Sequence, residues 1–232
     1  MKRFYEEAAA AESDDGHVVT LDGRPIQSPA RNRLVLPNRR LAEAVAAEWA
    51  AQVEKVDFAA MPLMRLVGIA VDDVAGRPEA VVDAIAAYGV TDLTCYRAEA
   101  PPDLVARQHR HWQPLLDWIG AHHGVSLVAA AGVTPIRQPE PSLAALRRAV
   151  AVDDPFVLAG VHAATAGCGS GVIALALRDS EIDADGAWTA AQVDEDYQVE
   201  IWGTDEEAAE RRRNVRADLD AAVRLLDFCA AG

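Results

Sequence analysis

The stretch His17–Val53, HVVTLDGRPIQSPARNRLVLPNRRLAEAVAAEWAAQV, contains the change of period that decides the fold. Its first half reads as β structure. His17–Leu21 is a short β-prone run, and Asp22-Gly23 supplies the residues that a tight hairpin turn needs. Pro25–Pro29 and Leu34–Leu36 read as further short strands. The prolines place the former at an edge, because proline cannot donate to a ladder. After Pro37 the pattern changes. Leu41, Val45, Trp49 and Val53 recur every fourth residue, which is the apolar stripe of a helix, and Asn38 can cap its start.

Helix follows helix from there. Met61-Pro62, Pro78 and Pro101-Pro102 each open an apolar-periodic run. Gly89 can end the second, and Pro114 must kink the third or start a new one. Residues 124–141, rich in glycine, alanine and proline, read as a loop with extended pieces. Ser142 reads as the cap of a helix through Val150, and Asp154-Pro155 as the cap of an uncharged helix pair. Trp188–Trp202 reads as one helix broken by Gly203. Thr204 with Glu207 reads as the capping box of the last helix, whose arginines (211, 212, 213 and 216) occupy its solvated side. Trp49, Trp112, Trp118 and Trp188 fall in helical patterns and read as core. The fold class expected is α+β. A small N-terminal mixed α/β domain over residues 1–75 precedes a larger all-helical domain over 76–232, with the boundary inside residues 60–80.

Composition narrows the functions. The net charge of −14 leaves no basic face to neutralise phosphates, which argues against nucleic acid and against anionic membranes. Cys95, Cys168 and Cys229 are far apart and odd in number, as expected of free thiols in a reducing compartment. The opening MKRFYEEAAAAE has no apolar core and reads as neither a secretory signal nor a transit peptide. Pro155–Leu177 carries no formal charge and has the length of a membrane span. Its glycines split it into two helices too short to cross, so no membrane insertion is expected.

Few residues carry recognisable chemistry. His109-x-His111 and His122-His123 lack the spacing of a metal site. The run Gly167-Cys168-Gly169-Ser170-Gly171 resembles an anion-cradling loop, but no lysine follows and the nucleophile-elbow pattern fails. Tight helix packing is its plain reading. A thiol- or serine-dependent hydrolase using Cys168 or Ser170, or a nucleotide site at the glycines, are the alternatives. The segment Val193–Ala208, VDEDYQVEIWGTDEEA, places Asp194, Glu195 and Asp196 beside Tyr197 and Trp202. Consecutive acids fan around a helix and do not pair for acid/base work. With the aromatics they form either a solvated face or a surface that grips a protein partner.

Several strings in order carry a family resemblance: RFY (3–5), LDGRPIQSPA (21–30), LAEAVAAEWAAQ (41–52), MPLMRL (61–66), TDLTCYRAEAP (91–101), QHRHWQPLLDW (108–118) and DEDYQVEIWGTDEEA (194–208). Together they resemble the assembly chaperones of the F-type ATP synthase that bind the α subunit of its soluble catalytic head, found in mitochondria and α-proteobacteria. The resemblance implies a mixed α/β domain followed by an orthogonal helical bundle, no catalysis, no cofactor and no obligatory small ligand. It implies that the free α subunit is held, with its β-facing surface shielded, until assembly. Its important acidic position falls on Glu195, and its tryptophan on Trp49, read as a packing residue. Asp92 and Arg97 become candidates for positioning or surface contact. Gln27-Ser28, Met64 and Gly171 depart from the family's usual residues without touching the acidic tract. The compartment expected is the bacterial cytoplasm, with the mitochondrial matrix for eukaryotic relatives.

Overall fold

The computed structural model describes residues 1–132, 134–135 and 137–230. Three antiparallel strands open the chain: β1 (Ala8–Ser13), β2 (Gly16–Leu21) and β3 (Arg24–Pro25), in that order across the sheet. Asp22 and Gly23, with φ of 47° and 76°, form the two-residue turn between Leu21 and its partner Arg24. The Asp22 carboxylate also accepts the Glu6 and Glu7 N–H groups at 3.0 and 2.9 Å. The strand expected over Pro25–Pro29 is present as Pro25 of β3 and an isolated bridge from Gln27 to Arg33, and that expected over Leu34–Leu36 as an isolated bridge from Leu36 to His17. β1 pairs with β2 over its whole length, Ala8 with Leu21 through Ser13 with Gly16, although its alanines carry no strand signal.

Helix α1 (Arg39–Ala50) packs on this sheet. Asn38 caps it as expected, accepting the Leu41 N–H at 2.9 Å. Leu41, Val45 and Trp49 are buried, whereas Val53 lies beyond the helix end and is 78% exposed. α2 (Pro62–Ile69) continues as a π-helical turn over Ala70–Val74. Its start is held by Glu48, whose carboxylate accepts the Leu63 and Met64 N–H groups at 2.9 and 2.8 Å.

The remaining helices are α3 (Pro78–Ala87), α4 (Pro102–His123), α5 (Glu140–Val150), α6 (Pro155–Cys168), α7 (Gly171–Arg178), α8 (Ala184–Ala191), α9 (Val193–Trp202) and α10 (Glu206–Ala230). A two-residue parallel ribbon, β4 (Tyr96–Arg97) with β5 (Ala130–Ala131), lies among them. The fold is α+β, a small N-terminal sheet followed by a helical bundle. Two compact units divide it. One comprises Met1–Pro78 with Asp153–Gly160 and Arg224–Gly232, the other Glu79–Val152 with Val161–Val223.

Several local expectations change. α4 runs through Pro114 without ending there. Gly89 is buried in a 3-10 turn, and a Cβ there would meet Leu146 Cδ2 at 2.5 Å, so any larger residue would displace that leucine side chain. Ser142 lies inside α5, and its hydroxyl donates to Ser126 O at 2.7 Å, so it does not cap that helix. Trp188–Trp202 is two helices, divided at Gln192. The last helix is capped by Asp205, which accepts the Ala208 N–H at 2.8 Å, in place of Thr204. Val133 and Ile136, within the 124–141 loop, lie outside the described residues. The uncharged stretch forms α6 and α7, and among the described residues no helix is long and apolar enough to cross a membrane.

Candidate functional site

The acidic tract lies on α9, a ten-residue helix that fully buries only Val193. Its position is fixed mainly by polar contacts with α4. Gln108 is 2% exposed. Its amide oxygen accepts the Ala98 N–H at 2.7 Å, and its nitrogen donates to Asp194 Oδ1 at 2.6 Å. One residue earlier, Arg107 grips both oxygens of Glu200 at 2.7 and 2.6 Å and lies over the Tyr197 ring, 5.4 Å from its centroid. The Tyr197 hydroxyl donates to Asp103 Oδ1 at 3.1 Å. The Arg107 guanidinium holds the Glu200 carboxyl below its ordinary range. Desolvation, then the neighbouring Asp103 carboxylate, raises the Tyr197 phenol. Trp112, below this layer, donates its indole N–H to Ala190 O at 2.7 Å.

α10 covers another side of the tract. Arg212 pairs with Asp196 and lies over the Trp188 ring, which Arg216 also covers. Trp188 is thus half-buried beneath two guanidinium groups instead of lying in the core. The exposed Arg211 stands 3.6 Å from the half-buried Glu195. Two of the four arginines expected on the solvated side, 212 and 216, therefore tie helices together. At the end of α9, Ile201 and Trp202 are 51% and 83% exposed, just before Gly203 (φ 79°) turns the chain.

Asp194, Glu195, Asp196, Tyr197 and Trp202 are accordingly brought onto one helix, and the structure distributes their tasks. Asp194 and Asp196 are engaged with Gln108 and Arg212. Glu195 has the longer 3.6 Å contact with Arg211, and Trp202 is 83% exposed. The anchors Arg107, Gln108 and Arg212 were not among the expected site residues. Gln108 had a signal: it is a polar residue at an apolar position of the α4 stripe.

Asp92 and Arg97 lie apart from this surface. Asp92 is wholly buried, and its carboxylate accepts from Thr94 N at 3.1 Å, Thr94 Oγ1 at 2.8 Å, Ser170 Oγ at 2.7 Å and Val172 N at 3.2 Å. Buried there, it joins the turn at Thr94 to the start of α7 and presents nothing to the surface. Burial pushes its carboxyl above the usual range. Arg97 is half-buried, donating to Thr94 O at 3.0 Å and lying over the Trp112 ring at 5.3 Å. Trp49 is 5% exposed and meets Tyr5 and Phe58 edge to face, at 5.7 and 5.8 Å between centroids.

The same geometry removes the support for the hydrolase reading. Ser170 is fully buried. Its hydroxyl donates to Asp92 and accepts the Ile173 N–H at 3.1 Å, which makes it the cap of α7. Burial, then the Asp92 charge, pushes the Cys168 thiol up to about 12, so it is not a poised nucleophile. The nucleotide reading fails likewise, because the Asp92 carboxylate already occupies the N-terminus of α7. His123 pairs with Asp179 at 2.6 Å and His122 stacks on Trp118. No group of potential metal ligands occurs among the described residues.

The ATP12 chaperone protein family model matches residues 2–120. The crystal structure of Atp12 from Paracoccus denitrificans is similar at a TM-score of 0.90 and 37% identity, over 97% of each chain. An aspartate-to-lysine variant of that protein gives the same values. Atu1473 from Agrobacterium tumefaciens is similar at a TM-score of 0.92 and 40% identity, over 97% of this chain and 85% of that one. With a matching family model over half its length and relatives of this identity along nearly all of it, the chain belongs to the ATP12 chaperone family, the assembly chaperones of the ATP synthase.

Proposed function

We propose that the chain binds the free α subunit of the F-type ATP synthase and shields its β-facing surface until assembly, as a non-catalytic chaperone of the bacterial cytoplasm. An unassembled subunit exposes an apolar interface and is prone to aggregate, so a binder that covers it must hold it and later yield it. The observation that carries this reading is the α9 surface. Trp202, 83% exposed, stands beside Ile201 at the end of a helix whose Glu195 is only loosely paired. A large exposed aromatic is the kind of anchor that dominates interface energy, and a rim of charge adds orientation and on-rate. Such a polar-rimmed contact is displaceable. No small ligand, cofactor, nucleic acid or membrane enters the reading.

The experiment is binding of the purified chain to isolated α subunit, with β subunit as competitor. Saturable binding that β displaces is the expected result. Failure of a folded sample to bind α overturns the proposal.

A further inference from the structure

Two neighbouring ion pairs join α9 to α10, and they are unequal. Arg212 meets Asp196 with its guanidinium over the Trp188 ring, 5.5 Å from the centroid, and its side chain is 19% exposed. Arg216 covers the same ring at 5.7 Å while it holds Asp185 at 2.6 Å and Asp220 at 2.8 Å. That anchorage fixes the register in which α10 meets α9, and the adjacent pair follows from it. Arg211 Nη2 is brought to 3.6 Å from Glu195 Oε1, with the arginine side chain 67% and the glutamate 37% exposed. The separation is longer than a hydrogen bond. A pair so placed contributes little stability and opens at little cost.

We propose that Arg211 is an internal competitor for the α9 surface: it rests where a basic side chain of the partner meets Glu195, and it is displaced on binding. This rests on α9 being the contact surface, and it names the group recognised there, a lysine or arginine. The resident guanidinium shows which charge Glu195 accepts in that setting. Trp202 lies two helical turns on from Glu195, roughly 10 Å along the same side of α9. A partner segment therefore presents its cation and an apolar side chain at that spacing, about three residues apart in an extended chain. An incoming cation must break the resident pair and lie beside a like charge. Removal of Arg211 should consequently tighten binding, the opposite of what the loss of a contact residue does.

The test uses the full chain and a short fluorescein-labelled peptide that repeats lysine, serine, serine and leucine, followed by fluorescence anisotropy at physiological ionic strength. A second probe carries glutamate in place of lysine. Arg211→Gln should bind the lysine probe about two- to fivefold more tightly than the parent, the scale of one exposed ion pair, and should gain nothing with the glutamate probe. Glu195→Gln should weaken lysine-probe binding, and adding Arg211→Gln to it should restore none of the loss, because the competitor acts through that carboxylate alone. Arg213→Gln removes the same charge from an exposed position of the same helix and should leave binding as in the parent. Thermal unfolding confirms that each variant is folded. The same variants are titrated with isolated α subunit. Absence of tightening by Arg211→Gln with both ligands, tightening that persists without Glu195, or equal tightening by Arg213→Gln overturns the proposal. Failure of α alone, with the lysine probe behaving as described, leaves the competitor in place and overturns only the identity of the partner.

Discussion

Arg107 holds Glu200 through two guanidinium nitrogens at 2.7 and 2.6 Å while its face covers Tyr197, so a single residue of α4 sets the orientation of the last turns of α9. The pair is exposed, and an exposed ion pair contributes little to global stability. Its consequence is local. Arg107→Ala should leave the melting temperature nearly unchanged and weaken α-subunit binding several-fold, because Trp202 follows Glu200 by two residues and loses its fixed presentation. Calorimetric melting alongside a binding isotherm checks this. An unaltered isotherm would place the contact elsewhere.

The Asp92 carboxylate collects four donors inside the second unit. Replacing it by asparagine keeps one acceptor oxygen but turns an amide donor toward the Val172 N–H. One buried donor left without an acceptor costs about 1–3 kcal/mol. Urea denaturation of Asp92→Asn should show that loss, while the fraction that remains folded should bind α subunit normally. Weakened binding at unchanged stability would restore Asp92 to the contact surface.

How much of this was legible in the sequence varies by element. The Asp22-Gly23 turn, the α1 stripe and the Asn38 cap are local signals, and all three stand in the structure. β1 was not legible. Four alanines favour helix intrinsically, and only pairing along β2 and packing against α1 make them a strand. The acidic character of α9 could be read directly. Its anchors could not, since Arg107 and Glu200 stand 93 positions apart and no local pattern joins them. Asp92 misled for the same reason: its partner Ser170 lies 78 positions away, so a polar-looking string concealed a buried cap.

Burial raises all three thiols to about 12, Cys95 and Cys168 with the Asp92 charge as a second cause and Cys229 with that of Asp154. The thiolate is the reactive form, so a folded sample at neutral pH should resist iodoacetamide at all three positions and react at all three in denaturant. Mass spectrometry of both samples decides it. Rapid labelling of native Cys168 would revive the thiol-hydrolase alternative.

Asp179 sets an acid limit. Burial works to raise its carboxyl, but Arg178, donating at 2.7 Å, and His123, at 2.6 Å, outweigh that and hold it below the ordinary carboxylate range. A carboxylate lowered by folding contributes stability wherever it is ionised in both states, and the contribution disappears as pH falls through its folded value. Stability should therefore drop below about pH 4, near the unfolded value, and Asp179→Asn should make that drop shallower. Urea midpoints measured across the acid range test this. Parallel curves for the parent and the variant would contradict it.

Trp49 and Glu195 should fail in different ways. Trp49 is 5% exposed, enclosed by Tyr5 and Phe58, and its carbonyl accepts the Tyr5 hydroxyl at 2.6 Å. Arginine in that space buries a charge with no partner, which costs on the order of several kcal/mol, comparable to the whole stability of many domains. Trp49→Arg should therefore appear mostly in the insoluble fraction, whereas Trp49→Phe, which keeps a ring there and removes the unpaired N–H, should remain soluble. Glu195 stands 3.6 Å from the exposed Arg211. Glu195→Lys should melt near the parent temperature and yet lose α-subunit binding, since reversal of a rim charge acts on association more than on folding. Soluble expression, melting temperature and α binding, measured on all three variants, separate the two roles. Equal unfolding by Trp49→Arg and Glu195→Lys would mean that the acidic tract holds the fold together and does not contact the partner.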